Sequence, residues 1–144
     1  MGIKHDLVLD IAGVIATNFS PIFWEALSSI FEVSHVDLIT FRTEVREQLW
    51  TGQMKEHEFW DRLVERFPTV DGRYAANLLL SVIKPLPALL EIPSWSKHAN
   101  IHLLSNHRIE WVKHIIKPVE GYVKSITISG EVGFCKPQPE IYLS

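Results

Sequence analysis

The sequence predicts an α/β fold: a Rossmann-like parallel sheet core with a helical bundle inserted after the first strand. Three observations predict it. Leu7-Val8-Leu9-Asp10 is a short apolar run that ends on an acid and is followed at once by a loop at Gly13, the pattern of a buried strand. Residues 18–84 carry four amphipathic helical patterns and no strand pattern, so they can bury their stripes against one another as a bundle. From 85 onward, apolar runs alternate with helical ones, as in βα units of a mainly parallel sheet. The chain divides accordingly into a core, 1–17 plus 85–144, and an inserted block, 18–84.

The inserted block is read helix by helix. Ser20 is placed as an N-cap with Pro21 at the first helical position, and Phe23, Leu27, Ile30 and Phe31 recur at helical spacing. Ser34 with Asp37 resembles a capping box for a second helix, striped by Leu38, Phe41, Val45 and Leu49. Thr51-Gly52-Gln53 breaks it. A third helix runs from about Lys55 to Phe67, where Pro68 ends it. Asp71 can cap a fourth, with Tyr74, Leu78, Leu79 and Val82 as its stripe, before Pro85 and Pro87 stop it. In the core, Pro87–Lys97 is a short helical stretch weakened by Pro93. Ile101–Leu104 is a second strand ending at Ser105-Asn106. A helix with Ile109, Val112, Ile115 and Ile116 closes at Pro118 and Gly121. Ser125–Ser129 is a third strand, and Gly130 and Gly133 mark the loop after it.

The 144 residues suit one ordinary domain, and a hydrophobic fraction of 47% is enough for a core. A net charge of −3, without a block of like charge, argues against nucleic acid or an anionic membrane as partner. No apolar run approaches the length of a membrane span. A single cysteine, Cys135, excludes an internal disulfide and, with no signal-peptide pattern, favours a cytoplasmic setting. Asp6 stands where a myristoylation signal wants Ser or Thr. Asn18-Phe19-Ser20 fits a glycosylation pattern by chance.

In a parallel α/β sheet, ligands bind beyond the carboxyl ends of the strands. Three polar features fall there: Asp10 after strand one, Ser105 and Asn106 after strand two, and Lys136 in the loop after strand three. Their chemistry is coherent. An aspartate can attack phosphorus and split one hard step into two. A hydroxyl and neighbouring backbone N–H groups can hold phosphoryl oxygens, and a lysine can neutralise the charge.

Asp10-Ile-Ala-Gly-Val-Ile, Leu103-Leu104-Ser105-Asn106 and the stretch from Ser129 through Lys136-Pro137-Gln138-Pro139 to Tyr142 resemble, in order, the first three motifs of the haloacid dehalogenase (HAD) superfamily, most of whose members are phosphatases. The helical insertion after the first motif is similar to that family's helical cap, and the resemblance covers essentially the whole chain. It implies a three-layer α/β/α core and hydrolysis of a small phosphorylated metabolite through an aspartyl-phosphate intermediate. Asp10 would be the nucleophile and Lys136 the charge stabiliser. Ser105 and the Asn106 backbone would form the phosphate cradle. Magnesium would be held by Asp10 and the backbone carbonyl of Ala12.

The sequence departs from the family pattern twice. Ala12 stands where family phosphatases usually carry a second aspartate as general acid and base, a group worth about 10²–10⁴-fold in rate. The sequence also ends after the third motif, without the acidic pair that holds magnesium in the family. The core is therefore expected to be incomplete, as in a fragment, and strand 7–10 to be an exposed apolar edge open to self-association or a partner. The alternative function is a non-catalytic HAD-fold module that binds a phosphate ligand or a protein. Two further branches are a phosphonate hydrolase, for which Lys55 is the candidate Schiff-base lysine, and a haloacid dehalogenase. Among the seven histidines no metal-binding spacing occurs. His107 is read as a surface residue at a helix start, Cys135 as a bystander, Arg42 and Arg46 as a solvated face, and the five tryptophans as packing, with Trp50 or Trp60 able to face a cleft.

Overall fold

The computed structural model describes residues 4–134, 136 and 138–142. Its element order is β1 (His5–Leu9), α1 (Ser20–Phe31), α2 (His35–Thr51), α3 (Glu56–Arg66), α4 (Gly72–Val82), α5 (Pro87–Trp95), β2 (Ala99–Ser105), α6 (Ile109–Ile116), a 3₁₀ helix (Lys117–Tyr122), β3 (Ser125–Ile128), α7 (Ser129–Val132) and α8 (Pro139–Tyr142). The three strands form one parallel sheet in the order β1-β2-β3. Leu9 pairs with Leu103, and Ser105 with Ile128, so the polar residues that follow each strand emerge at one edge. Among the described residues no helix is long and apolar enough to cross a membrane.

The helices follow their stripes. In α2, Leu38, Phe41, Val45 and Leu49 are all buried, and Ser34 Oγ caps the helix by accepting from the Asp37 N–H at 3.4 Å. Asp71 caps α4 through the N–H groups of Arg73 and Tyr74. Three local expectations are corrected. Ser20 is the first helical residue of α1, not its cap; the Asn18 Oδ1 accepts its N–H at 3.1 Å. Ile30 and Tyr74 are exposed, while Trp24 and Ala75 take the inward positions. After α6 the chain tightens into a 3₁₀ helix that no periodicity marked.

β1 is the exposed apolar edge expected of strand 7–10 in an incomplete core, although its apolar run taken alone has the pattern of a buried strand. It ends at Leu9 and lies at a sheet edge, with Leu7 and Val8 exposed. The apolar side of the sheet rests on Ile101, Leu103 and Ile128, all buried in one continuous core. A polar ladder crosses all three strands: Asp6 Oδ1 meets His102 Nε2 at 2.9 Å, and His102 Nδ1 meets Ser125 Oγ at 2.7 Å. The hydrogen bond from His102, with one from Asn100, holds the Asp6 carboxyl below its usual range.

The two connections of the helical block run side by side. Thr17 N–H donates to the Lys84 carbonyl at 2.8 Å, Leu86 N–H to the Ile15 carbonyl at 2.9 Å, and the Thr17 hydroxyl to the Val82 carbonyl at 2.7 Å. The block is also fastened to the sheet side at a distance from this joint. Arg108, buried after β2, donates through Nη1 to the carbonyls of Leu49 and Met54 at 2.9 and 2.7 Å, and through Nη2 to Glu110 at 3.1 Å. Gly52, at φ 76° where α2 ends, lies so close to Gly130 of α7 that a Cβ would run into the Gly130 carbonyl.

Candidate active site at the strand ends

The structure brings Asp10 and Lys136 together. Lys136 Nζ lies 3.2 Å from Asp10 Oδ2 and 3.2 Å from the Leu104 carbonyl, which it can reach as a donor. Asp10 Oδ1 accepts the N–H of Ile11 at 2.7 Å, so its carboxylate is held from two sides while remaining partly open to solvent.

Asn106 explains why Lys136 sits there. Its side-chain Oδ1 accepts the Lys136 N–H at 2.7 Å, and its Nδ2 donates to the Lys136 carbonyl at 3.2 Å. This two-point grip fastens the loop after β3 to the end of β2. The Asn106 amide is thus a positioning group for Lys136. Ser105, the last residue of β2, is buried, and its Oγ has no hydrogen-bond partner among the described residues. A buried hydroxyl without a partner costs free energy, roughly 1–3 kcal/mol, and invites an acceptor.

His107 is not the surface residue that its place before a helix predicts. Only 1% of it is exposed. Its Nδ1 accepts the Arg108 N–H at 2.9 Å, which leaves the proton of the neutral ring on Nε2. That Nε2 is buried without a partner. Burial pushes the His107 pKa down to about 4, against a weaker upward pull from the Asp10 charge. The ring packs against Phe19, Trp50 and Trp111, with centroids 5.8, 5.7 and 6.3 Å away. Ser129 locks the loop beneath it by accepting the His107 N–H at 3.0 Å. Neither His107 nor Arg108 carries a sequence signal beyond following Ser105-Asn106.

Ala12 is half-buried in the turn after β1, which is closed by hydrogen bonds from Gly13 to Ala16 and from Ile15 and Ala16 to Ile11. Its methyl group can neither give nor take a proton. Asp10 and the Ala12 carbonyl would offer two of the roughly six oxygen ligands magnesium wants. No three His, Cys, Asp or Glu side chains come together for a metal among the described residues. These residues do not by themselves fit a magnesium site. Cys135 and Pro137 of the third motif lie outside the described residues. Lys55, the candidate Schiff-base lysine, is exposed at the start of α3.

No family model and no curated protein matches the chain. Solved structures do. A HAD family enzyme from Bacteroides thetaiotaomicron superposes with a TM-score of 0.82 at 22% identity, over 97% of this chain and 75% of that one. A predicted HAD-like family hydrolase from Porphyromonas gingivalis gives 0.77 at 18% identity, over 99% and 74%. The L-2-haloacid dehalogenase of Xanthobacter autotrophicus gives 0.60 at 15% identity, over 98% and 63%. The chain therefore has the α/β HAD-like fold in incomplete form, with three parallel strands. The Bacteroides enzyme has also been crystallised with magnesium and inorganic phosphate.

Proposed function

We propose that the chain is a HAD-like hydrolase of the phosphatase type, acting on a small phosphorylated molecule in the cytoplasm, with residues 18–84 as a helical cap over the strand-end site. The observation that supports this most is the Asp10–Lys136 pair at 3.2 Å beside the unpartnered, buried Ser105 hydroxyl. An exposed surface pair would be worth little. Here the lysine is also fastened to the Leu104 carbonyl and, through its backbone, to Asn106, so charge and position are set in advance.

The steps follow from those groups. A phosphate monoester enters with one phosphoryl oxygen accepting the Ser105 O–H. Lys136 balances the negative charge shared between the phosphoryl group and Asp10. An Asp10 carboxylate oxygen attacks phosphorus, the P–O bond to the alcohol breaks, and the alcohol leaves with a proton from water. A water molecule then attacks the aspartyl phosphate, releasing inorganic phosphate and restoring Asp10. Asp10 and the Ala12 carbonyl alone do not make a magnesium site, so none of these steps is assigned to a metal.

Ala12 favours a second reading: a non-catalytic module that binds phosphate at the same cradle. Turnover of a generic aryl phosphate with magnesium decides between them. Hydrolysis abolished by Asp10→Asn supports the enzyme. Absence of hydrolysis, with phosphate binding retained and dependent on Ser105 and Lys136, supports the binding module.

A further inference from the structure

A cavity of about 260 Å³ lies where the start of α1 meets α2 and Trp111. Its walls are of two kinds. Trp24, Trp50 and Trp111 give it aromatic surface, and Arg42 and Arg46 give it positive charge. None of its lining residues is acidic. Arg42 reaches only the Ser20 hydroxyl, at 3.3 Å, and neither arginine has a carboxylate partner among the described residues. Trp24 is 2% exposed, and its indole Nε1–H has no hydrogen-bond partner among the described residues. Two unneutralised guanidinium groups and a buried orphan donor beside aromatic faces make a receptor for an acid on a flat apolar body.

Two of its walls touch the loop that carries the phosphoryl cradle. Trp50 and Trp111 both pack on the His107 ring, which directly follows Ser105-Asn106. At about 260 Å³ it is below the roughly 300–1,000 Å³ of sites that enclose a whole drug-sized ligand, so it takes one end of a ligand and leaves the other end outside.

We infer that this cavity is the leaving-group site. It selects phosphate esters whose alcohol carries an aromatic or flat apolar body and a second anionic group, a carboxylate, read by Arg42, Arg46 and the Trp24 N–H. This rests on the phosphoryl reading of the strand-end site for the ligand's other end. It gives the arginines and tryptophans of the helical block a role that neither packing nor a solvated face supplies.

The experiment is calorimetric titration of the full chain with four probes: 4-carboxyphenyl phosphate, phenyl phosphate, benzoate and inorganic phosphate, with tryptophan fluorescence followed in parallel. The expected result is that 4-carboxyphenyl phosphate binds at least tenfold more tightly than phenyl phosphate, and that benzoate alone perturbs the fluorescence. The double variant Arg42→Gln/Arg46→Gln erases that preference and leaves the affinity for inorganic phosphate unchanged. Equal affinities for the two esters in the native chain, or a preference that survives in the double variant, would overturn the inference. Should circular dichroism show the double variant unfolded, Arg46→Gln alone is read, since Arg46 is exposed and bonded to nothing; a several-fold loss of the preference is expected, and none would overturn it. If inorganic phosphate fails to bind while arginine-dependent benzoate binding persists, the cavity stands and the phosphoryl reading falls. The reverse pattern removes the cavity's role alone.

Discussion

The helical block and the sheet solve the burial problem to different degrees. In α1–α4 the inward stripes are deeply buried: Phe23, Leu27, Leu38, Phe59, Leu63 and Leu79 are essentially without solvent contact. The sheet buries one face of β2 and β3, whereas β1 leaves Leu7 and Val8 open to solvent. The helices can satisfy their own backbone groups and need only each other's side chains. A strand needs a neighbour on both edges, and among the described residues β1 has one. The reactive groups sit on the less finished half, and the packing that steadies them comes from the finished one, through Arg108 and the aromatic rings around His107.

This contrast can be broken by mutation. Phe59→Ala in the closed block is expected to cost about 3–5 kcal/mol, whereas Val8→Ala on β1 should change urea stability by at most about 0.5 kcal/mol. Comparable losses at the two positions would mean that β1 is covered. Between the halves, Gly52→Ala should cost about 3 kcal/mol, from its left-handed backbone and the collision with the Gly130 carbonyl. Gly121→Ala, with nothing near its Cβ, is the control and should be close to neutral. A cheap Gly52→Ala would show that the block can lift away from α7.

His107 sharpens the contrast by pH. Unfolded, its imidazole titrates near 6.5; folded, burial holds it at about 4. Between those values the unfolded chain binds the extra proton, so stability is fully present above pH 6.5 and is lost as pH falls to 4. At 1.36 kcal/mol per unit the loss is about 3 kcal/mol. His107→Leu should flatten that part of the stability–pH curve in urea titrations, and an unchanged slope would assign it to carboxylates. The smallest effect concerns the edge of β1. Sedimentation velocity should show weak, concentration-dependent self-association, reduced by Val8→Lys, and a strict monomer at high concentration would remove the edge's role.

The legible parts of the sequence are those whose cause is local. The stripes of α2 and the caps at Ser34 and Asp71 follow from spacing and side-chain chemistry a few residues apart. So does the placing of Asp10 and Ser105 at strand ends, because an apolar run followed by a polar loop marks where a strand stops. What escaped is non-local. The burial of His107 depends on Phe19 and Trp50, and the partners of Arg108 lie more than fifty residues upstream, at Leu49 and Met54. No periodicity encodes such contacts. The apolar run of β1 taken alone has the pattern of a buried strand, and its place at an edge is expected only from the incomplete core: apolarity reports that a residue is suited to burial, and the number of neighbouring strands decides whether it is buried.

The most direct test of the strand-end site is whether Asp10 takes up a phosphoryl group. The chain is incubated with acetyl phosphate and magnesium, quenched in acid, digested and mapped by mass spectrometry. The site described here predicts a phosphoryl increment on Asp10 in the native chain, weakened by Ser105→Ala and absent in Asp10→Asn. An unmodified Asp10, or an increment that persists in Asp10→Asn, would contradict it.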